Sequence, residues 1–410
     1  MAQFPIDAFA DRYAKRTAGM SASEIRALFA VASRPEVISF AGGMPFVEAL
    51  PGEEVLRVVR GVLERRSAEA LQYCAGGGLP VLKERLVSVM AEEGVDASPE
   101  HIVVTEGAQQ ALDLLGKIFL DPGDEIAVEA PSYVGALSAF SAYEPRFVSV
   151  PLDDDGLVVE ALEEALVRGA RPKFLYTVPN FHNPAGVTLS EERRRRLVAL
   201  CREAGVLIIE DNPYGMLRFE GPAPPTLRSL DPRNVIYVGT VSKIFSPAVR
   251  IGWALAEPGV IQRLVLAKEA ADLCSSAFTQ VVAEEWFTAD WKAPLSHLVE
   301  IYRSRRDAML GALTRHFPVG TSWTNPAGGF YVWVTLPSYL DSSAMLAAAV
   351  ERRVAYVPGT GFYSDGEGRD RLRLAFCYPP EADIEEGIRR LGELLADEVD
   401  LYRTMSGSAG

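Results

Sequence analysis

Lys243 occupies a position at which a lysine can act as a nucleophile. It follows the apolar run Val235–Val238 and the small hydroxyl residues Thr240 and Ser242, and Arg250 comes seven residues later. Because desolvating an ammonium is costly, a lysine at the end of a buried strand is expected to have a lowered pKa and to attack carbonyl carbons. Two hydroxyls and a guanidinium also suit a phosphate dianion. This segment therefore predicts carbonyl chemistry beside a phosphate site.

A carboxylate and a tyrosine follow a second apolar run. Asp211 and Tyr214 come after Val206–Ile209, with a proline between them at position 213. An acid in this position often caps the next helix, which is the structural interpretation. In the functional interpretation, Asp211 is a buried carboxylate that pairs with a cationic ring nitrogen, and the two residues address one ligand from two sides. The residues alone leave both interpretations open.

Three further strand ends carry residues that could bind a ligand. A glycine turn before a helix offers free backbone N–H groups to a phosphate, a tyrosine can stack on a flat ring, and an asparagine can donate a hydrogen bond. Each has an ordinary alternative: a tight turn, a core tyrosine or an Asn-Pro loop. His182, beside the asparagine, is interpreted as a surface or supporting residue rather than a catalytic one. The candidates are Gly107, Ala108, Gln109, Tyr133 and Asn183.

These residues follow short apolar runs that alternate with helical patterns, which is typical of a mostly parallel sheet with helices on both faces. In such sheets ligands bind at the carboxyl ends of the strands, where all the candidates above fall. The predicted strands are Ile102–Val104, Ile126–Val128, Phe147–Val150, Phe174–Thr177, Val206–Ile209 and Val235–Val238. The clearest predicted helices are Ala108–Leu120, Leu157–Val167 and Glu191–Ala204.

The pattern changes after Pro258, where long helical stretches begin and are followed by three more apolar runs. These runs are Gly329–Leu336, Ala355–Val357 and Leu372–Phe376. Because they alternate with helices, they predict a second, smaller α/β domain. We predict that residues 1–48 form an N-terminal arm that joins the small domain, residues 49–295 the large ligand-binding domain, and residues 296–410 the small domain.

Composition and charge exclude several partners. The 410 residues carry 41 lysines and arginines against 55 aspartates and glutamates, a net charge of −14 that repels nucleic acid and anionic membranes. No apolar run approaches the ~18 residues that a membrane span needs, and the N-terminal residues do not resemble a signal peptide. The four cysteines are far apart and there are four histidines, so we expect free thiols, no metal site and a cytoplasmic protein.

Taken in order, the motifs resemble those of the class I/II aminotransferases, which are pyridoxal 5′-phosphate (PLP) enzymes of fold type I. The matching elements span roughly residues 20–400, and their coincidence at compatible spacing is far more specific than any one of them. They are Gly107-Ala108-Gln109, Tyr133, Asn183-Pro184-Ala185-Gly186, Asp211 with Tyr214, Ser242-Lys243, Arg250 and Arg373. The resemblance implies a mostly parallel seven-stranded sheet covered by helices on both faces, plus a smaller α/β domain.

Roles for individual residues follow from the resemblance. Lys243 is expected to hold PLP as a Schiff base and to move the proton between the substrate Cα and the cofactor, while Asp211 pairs with the protonated pyridine nitrogen. Tyr133 is expected to stack on the ring, and Asn183 and Tyr214 to hydrogen-bond its phenolic oxygen. The expected phosphate ligands are Gly107, Ala108, Gln109, Thr240, Ser242, Arg250 and, from the neighbouring subunit, Tyr73. The resemblance therefore implies a homodimer with shared active sites.

Substrate binding is also implied by the resemblance. Arg373 is expected to bind the substrate α-carboxylate in a bidentate pair, with Asn183 and Gly43 beside it. The most similar branch is the 2-aminoadipate/kynurenine/aromatic one, in which an N-terminal arginine can meet a side-chain carboxylate. Arg26 aligns with that arginine, and a solvated helix arginine is an equally good interpretation. The stretches that resemble this branch are Ile38–Pro45, Leu71–Tyr73, Tyr356–Gly359 and Arg371–Leu374.

The chain departs from the family pattern at three places, the mildest of which is Ile244, where a threonine is frequent. Ala108 replaces a serine that often supplies a hydroxyl to the phosphate, although a backbone N–H can still serve there. The stretch Cys74–Gly78 is richer in glycine than is usual in a loop that borders the substrate pocket of relatives. The departure in this loop makes a difference in substrate specificity an expectation.

We therefore predict a PLP-dependent aminotransferase that moves an amino group between an L-amino acid and a 2-oxo acid in a ping-pong reaction, with glutamate as the expected donor. One alternative is another PLP reaction on the same fold, such as that of a decarboxylase, racemase or lyase. The other is an aminotransferase-like regulatory protein, although the chain has only about 20 residues before the resemblance begins, too few for a DNA-binding domain.

Overall fold

A computed structural model describes residues 9, 11–19, 34 and 36–407. Within them the chain forms strands, α-helices and short 3₁₀ helices, and the first two are labelled in chain order. The strands are β1 (Ile38–Ser39), β2 (Ile102–Glu106), β3 (Glu125–Ala130), β4 (Arg146–Asp153), β5 (Gly156–Leu157), β6 (Phe174–Thr177), β7 (Leu207–Asp211), β8 (Val235–Thr240), β9 (Ile251–Leu255), β10 (Ser322–Trp323), β11 (Tyr331–Thr335), β12 (Val354–Ala355), β13 (Val357–Pro358) and β14 (Arg371–Ala375).

The helices are α1 (Gly52–Arg65), α2 (Ser67–Ala70), α3 (Pro80–Ala91), α4 (Gly107–Phe119), α5 (Val134–Ser141), α6 (Val159–Val167), α7 (Glu191–Ala204), α8 (Leu227–Leu230), α9 (Pro258–Asp272), α10 (Ala277–Thr288), α11 (Lys292–His316), α12 (Ser342–Glu351) and α13 (Glu381–Met405). The 3₁₀ helices are Lys15–Gly19, Val47–Ala49, Pro99–His101, Pro247–Val249 and Gly359–Phe362. Helix α7 has the bounds predicted from the sequence, because Ser190 caps its start and Gly205, in the left-handed region, ends it.

Eight strands form the large sheet, in the order β2-β9-β8-β7-β6-β3-β4-β5. The five strands from β8 to β4 run parallel, whereas β9 is antiparallel to both of its neighbours. The predicted α/β class is confirmed, and six strands coincide with predicted apolar runs. Strand β9 is missing from those predictions because it follows the Lys243 segment without an intervening α-helix. Strand β5 adds an eighth strand to the seven expected, as a two-residue hairpin partner of β4.

Successive residues of the central strands face two different layers. Ala127, Leu175, Ile208 and Val235 pack with apolar residues of α6 and α7 on one face, and the next residue of each strand packs with α4 and α5 on the other. The central strands are therefore apolar on both faces, as buried parallel strands require. Each fully buried Val, Leu or Ile side chain contributes about 1.5–3 kcal/mol of transfer free energy to this core.

The C-terminal part of the chain forms smaller sheets. Strands β10, β11, β14 and β13 make an antiparallel sheet in that order, and β1 pairs in parallel with β12. Helices α11 and α13 pack against each other beside them. The predicted domain limits at residues 48 and 295 stay a prediction, and the second of them falls inside α11.

The carboxyl ends of β3, β6, β7 and β8 lie along one edge of the large sheet, because these strands are parallel and in register. In the described part of the chain, no helix is long and apolar enough to cross a membrane, and no group of side chains could hold a metal ion. The loops after these four strands converge at this edge, which is where parallel sheets bind their ligands.

Candidate active site

A cavity of about 580 Å³ opens at the carboxyl edge of the large sheet. It brings together twelve of the residues that the sequence analysis singles out, from seven separate segments of the chain. They are Gly43, Ala108, Gln109, Tyr133, Asn183, Asp211, Tyr214, Thr240, Ser242, Lys243, Arg250 and Arg373. The other lining residues are Val134, Gly135, Ser138, Val178, Pro213, Pro247 and Tyr331.

Lys243 presents its amine to this cavity. The Nζ atom donates a hydrogen bond to the backbone carbonyl of Gly43 at 3.0 Å. Although part of the side chain faces the open cavity, burial lowers the pKa of the amine to about 8. Cys377 opposes this shift, and the cations of Arg373 and Arg250 add to it. A larger fraction of the amine is therefore neutral and nucleophilic at neutral pH than of an ordinary lysine.

Asp211 ends β7 as a buried carboxylate with one oxygen satisfied. Its Oδ2 accepts a hydrogen bond from the Tyr176 hydroxyl at 2.8 Å, whereas the buried Oδ1 has no partner among the described residues. Burial raises the pKa of Asp211 to about 7; the Tyr176 hydrogen bond opposes this shift and the charge of Glu129 adds to it. Because a buried polar atom needs a partner, the carboxylate has capacity for a donor or a cation supplied from the cavity.

Arg373 lies on β14, and two hydrogen bonds and two aromatic rings hold its side chain in place. Its two terminal nitrogens donate to Asn183 Oδ1 at 2.8 Å and to the backbone carbonyl of Ala41 at 2.7 Å. The guanidinium also packs over the rings of Tyr331 and Phe362, at 4.3 and 5.0 Å from their centroids. The side chain is 3% exposed, so this charge is desolvated and held in a single orientation.

Two tyrosines form a further part of the wall. The hydroxyls of Tyr214 and Tyr331 lie 3.3 Å apart, and both side chains are buried. Burial raises the pKa of Tyr214 well above its usual range, so the phenol stays protonated and able to donate. Gly43 makes room for this pair, because a Cβ atom at position 43 would overlap the Tyr331 hydroxyl.

The start of α4 and Arg250 together form an anion site. Gly107 has φ +74°, and a Cβ atom there would lie 2.6 Å from the Arg250 guanidinium. Arg250 donates to the backbone carbonyls of Glu106 and Pro247 at 3.0 and 3.2 Å. The first N–H groups of a helix have no partner within the helix, so a guanidinium beside a helix start suits an anion. Gly107 does not line the cavity itself but lets Arg250 approach.

Four more predicted residues complete the wall. The Thr240 hydroxyl donates a hydrogen bond to the Ser242 hydroxyl at 2.9 Å, and both residues line the cavity together with Lys243. The amide of Gln109 donates to the backbone of Gly135 at 2.7 Å, and the Tyr133 hydroxyl lies 3.4 Å from its oxygen. Burial raises the pKa of Tyr133 to about 12. Its ring therefore lines the cavity as a neutral phenol.

The sequence model of the family 'Aminotransferase class I and II' matches residues 47–391 of the chain. The chain belongs to this family. It is 44% identical to aromatic-amino-acid aminotransferase 1 of Thermococcus litoralis, over 94% of each chain. It is also 41% identical to Pyrococcus horikoshii kynurenine aminotransferase, solved with pyridoxamine phosphate, with a TM-score of 0.90 over 95% of this chain and 98% of that one.

A third similar protein is the α-aminoadipate aminotransferase LysN of Thermus thermophilus, solved with N-(5′-phosphopyridoxyl)-L-leucine. It is 36% identical and has a TM-score of 0.90, covering 96% of this chain and 100% of that one. The protein described here is therefore a fold type I, PLP-dependent aminotransferase, and amino acids and 2-oxo acids are its substrates. The alternatives of another PLP reaction or a regulatory protein are set aside.

The cavity of the aminotransferase fits PLP on its own geometry. The unpartnered Oδ1 of Asp211 suits a protonated ring nitrogen, and an amine with a lowered pKa suits an aldehyde. The Arg250 guanidinium at the start of α4 suits the phosphate, with the hydroxyls of Thr240 and Ser242 nearby. Because Ala108 has no hydroxyl, the backbone N–H groups and Arg250 are the groups that could donate to a phosphate at this helix start.

Two predicted site residues, Tyr73 and Arg26, are not among those that line the cavity in the described part of the chain. Tyr73 is 77% exposed and does not line the cavity of its own subunit, and its place in the active site of a neighbouring subunit stays a prediction. Arg26 lies outside the described residues. His182 is not at the surface: it is 1% exposed, with its Nε2 3.0 Å from Glu129, while its Nδ1 accepts a hydrogen bond from the Ala185 amide. It supports the loop that carries Asn183.

Sequence reasoning missed Tyr331 and Tyr176, which touch the predicted residues directly. Both lie inside strands, β11 and β6, where an aromatic residue predicts only burial. The available signal was position: Tyr176 stands one residue before the end of its strand, beside the predicted ligand edge. Strand-end reasoning that includes the last two residues of each strand finds Tyr176, but it does not find Tyr331.

We predict that Gly43→Ala impairs catalysis without unfolding the enzyme. The new methyl group displaces the Tyr331 hydroxyl and with it the ring on which Arg373 packs, so kcat/KM should fall by about tenfold or more. Steady-state kinetics with a series of amino acid donors measures the change. Gly52→Ala is the matched control, because a methyl group there meets no atom within 4 Å. Equal kinetics of both variants and the unchanged enzyme would disprove the predicted crowding.

Proposed function

We propose that Lys243 is the catalytic residue that bonds the aldehyde of PLP and moves the substrate proton, and that glutamate is the amino donor. One observation carries the proposal: an amine of lowered pKa, a buried carboxylate with an unpartnered oxygen, and an oriented guanidinium line a single cavity. When bound, PLP supplies an electron sink that stabilises negative charge at the substrate Cα. The remaining chemistry belongs to residues of this chain.

Arg373 is proposed to bind the substrate α-carboxylate. A guanidinium has five N–H donors, and the bonds to Asn183 and Ala41 engage only one on each terminal nitrogen. The remaining donors can form the bidentate pair that carboxylates prefer. When Arg373 holds the carboxylate, the bond that is oriented for cleavage is Cα–H and not the bond from Cα to the carboxylate carbon. This orientation favours amino transfer over decarboxylation.

Lys243 is proposed to take the proton from the substrate Cα and to return it to the cofactor side. A base of pKa about 8 is matched to work near neutral pH, since it is partly neutral there and still basic enough to accept the proton. Asp211 provides the anion that keeps the ring nitrogen protonated. Tyr214 and Asn183 provide hydrogen bonds to the phenolic oxygen, and Tyr133 provides the stacking surface.

We predict that Lys243→Ala abolishes amino transfer. Without the amine neither cofactor attachment nor proton transfer is possible, so kcat should fall by at least about a thousandfold. Stopped-flow spectroscopy of the PLP-loaded protein with glutamate, read in the visible band of the bound cofactor, measures this. Lys292→Ala removes an exposed lysine paired with Glu92 and should behave as the unchanged enzyme. Conversion of cofactor to its amine form by Lys243→Ala would refute the role of Lys243.

The substrate side chain is proposed to bind in one of two ways. The described lining contains three cations, Lys243, Arg250 and Arg373, and each already has a proposed partner. The rest of the described wall is aromatic or small, including Tyr133 and Tyr331, which suits aromatic and apolar side chains. A side-chain carboxylate needs one more cation, and we propose Arg26 for it. The names of similar proteins, which include aromatic and aminoadipate aminotransferases, support both classes.

We predict that Arg26→Ala separates the two classes of substrate. Loss of a charged hydrogen bond should lower kcat/KM for glutamate by about tenfold or more, while kcat/KM for phenylalanine stays the same. A panel of amino donors and 2-oxo acid acceptors measures the ratio, and Arg26→Lys, which keeps the charge, should lie between the two. If the ratio of glutamate to phenylalanine activity is unchanged in Arg26→Ala, the residue is a solvated arginine.

We propose that the enzyme is a homodimer whose subunits share their active sites. Tyr73 and its neighbour Leu71 are 77% and 72% exposed, and large apolar side chains of α1 are exposed as well, including Leu56 and Leu63. Such a surface is costly to leave in water. We propose that Tyr73 reaches the phosphate in the partner's active site, as the resemblance of its sequence motif implies.

We predict that two defective subunits complement each other. Tyr73→Ala is expected to be weakly active and Lys243→Ala inactive. In a mixed dimer, however, the site with an intact Lys243 receives an intact Tyr73 from its partner. After refolding of an equal mixture, random pairing of a twofold dimer restores about a quarter of the sites. Activity no greater than the mean of the two separate proteins would show that Tyr73 serves its own subunit or none.

We also propose that the enzyme acts in a reducing compartment, as in cytoplasm. All four cysteines are described, and each is a free thiol. Two of them, Cys201 and Cys377, are buried in apolar surroundings, where burial raises the thiol pKa to about 12 in each case. Structural disulfides are typical of oxidising compartments, so four unpaired cysteines support the proposal.

A further inference from the structure

We propose that Tyr176 is a positioning residue that acts through Asp211: its hydroxyl holds the carboxylate in one rotation and keeps it ionised, so that the free oxygen meets the ring nitrogen of PLP. The proposal rests on the function proposed above for Asp211 and adds a second residue to it. Tyr176 does not line the cavity, so it acts on the cofactor only through this carboxylate.

The geometry fixes Tyr176 more firmly than packing alone requires. It is fully buried on β6, next to β7, with its backbone opposite Ile209 in the ladder, two residues before Asp211. Its ring meets Phe140 edge-on, with centroids 5.6 Å apart. The hydroxyl donates to Asp211 Oδ2 at 2.8 Å. A carboxylate with one oxygen bound in this way cannot rotate freely, so the other oxygen is aimed in one direction.

The charges around Asp211 make this donor necessary. The titratable groups that face the carboxylate are Tyr176 from β6, Glu129 from β3 and Tyr133 from the loop after β3. None of the three is a cation, and Glu129 repels the ionised form. Within the described residues, the Tyr176 hydroxyl is the hydrogen bond that favours the anion against burial.

A neutral donor also suits the chemistry better than a cation. A lysine or arginine in the place of Tyr176 would neutralise Asp211 and weaken its pull on a proton at the ring nitrogen. A tyrosine, whose own pKa is raised well above its usual range here, stays protonated and stabilises the carboxylate without cancelling its charge. The pair therefore favours the carboxylate form of Asp211 at a buried position and leaves its negative charge available to the ring nitrogen.

We predict that Tyr176→Phe weakens the hold on PLP and narrows the pH range of activity. Loss of a hydrogen bond to a charged group should speed PLP release from the loaded enzyme by about tenfold, followed by the cofactor's absorbance. The acidic limb of the kcat profile should move to higher pH, because the carboxylate is then protonated more easily. KM for glutamate should stay the same, since Tyr176 touches no substrate-binding residue among those described.

Tyr356→Phe is the matched control. Tyr356 is as fully buried as Tyr176, and its hydroxyl also donates one hydrogen bond, to the backbone carbonyl of Ser342 at 2.5 Å, away from the cavity. The control should lose similar stability to heat without a change in PLP release or in the pH profile. If both variants change these two properties equally, or neither does, Tyr176 is a packing residue only and the proposal is wrong.

The double variant separates this proposal from the function on which it rests. If Asp211→Asn leaves PLP release unchanged, the proposed role of Asp211 fails and that of Tyr176 with it. If Asp211→Asn speeds release and Tyr176→Phe does not, only the Tyr176 proposal fails. We expect both to speed release and the double variant to match Asp211→Asn alone, since Tyr176 acts through the carboxylate. A further loss in the double variant would overturn the proposal.

Failure of Tyr176→Phe to fold is also informative. Removal of the hydroxyl leaves both carboxylate oxygens without a partner in the described protein, whereas an amide at position 211 is less costly to bury. If the single variant unfolds and the double variant Tyr176→Phe/Asp211→Asn folds, the coupling between the two residues is measured as stability and supports the proposal. If Tyr176→Phe and the double variant both unfold, the Tyr176 hydroxyl is required for packing and the proposal is overturned.

Discussion

The parallel alignment of β3, β6, β7 and β8 is the constraint on which the active site depends. In register, Asp211 lies beside Val238 and Thr177 beside Glu210, so the chain leaves the sheet at nearly the same level from each strand. The strands are buried on both faces and cannot shift without exposing their apolar residues. Loops that start from such a fixed edge place lysine, carboxylate, asparagine and tyrosine side chains in one cavity, although they are distant in the sequence.

The electrostatics of the cavity are opposite in sign to those of the whole chain. The sequence has a net charge of −14, yet the described lining contains three cations and one carboxylate. Two of these cations are guanidiniums bonded to backbone carbonyls, so their positions are set before any ligand arrives. An acidic exterior with a cationic cavity favours small anions over nucleic acids, because only small anions reach the buried charges.

Much of this arrangement could be predicted from the sequence because the residues that matter follow strand ends. Lys243, Asp211 and Asn183 follow buried apolar runs at the edge where ligands bind, and their coincidence with the other motifs distinguishes them from an ordinary helix cap or loop. Tyr331 and Tyr176 lie within strands, where burial is the default and no pattern marks a hydroxyl as a ligand. Strand β9 escaped prediction because Arg250, with φ +54°, turns the chain sharply back to form it, and nothing in its residue type signals that conformation.

The assembly of the cavity also depends on residues from opposite ends of the chain. The carbonyls of Gly43 and Ala41 bond Lys243 and Arg373, and the latter pair is 332 positions apart in sequence. Strand β1, just before them, pairs with β12 and with no other strand among residues 36–407. During synthesis on a ribosome, β1 therefore stays unpaired until β12, near the end of the chain, has been synthesised. The large sheet can form early, but the active site is complete only when the C-terminal strands have packed against the N-terminal segment.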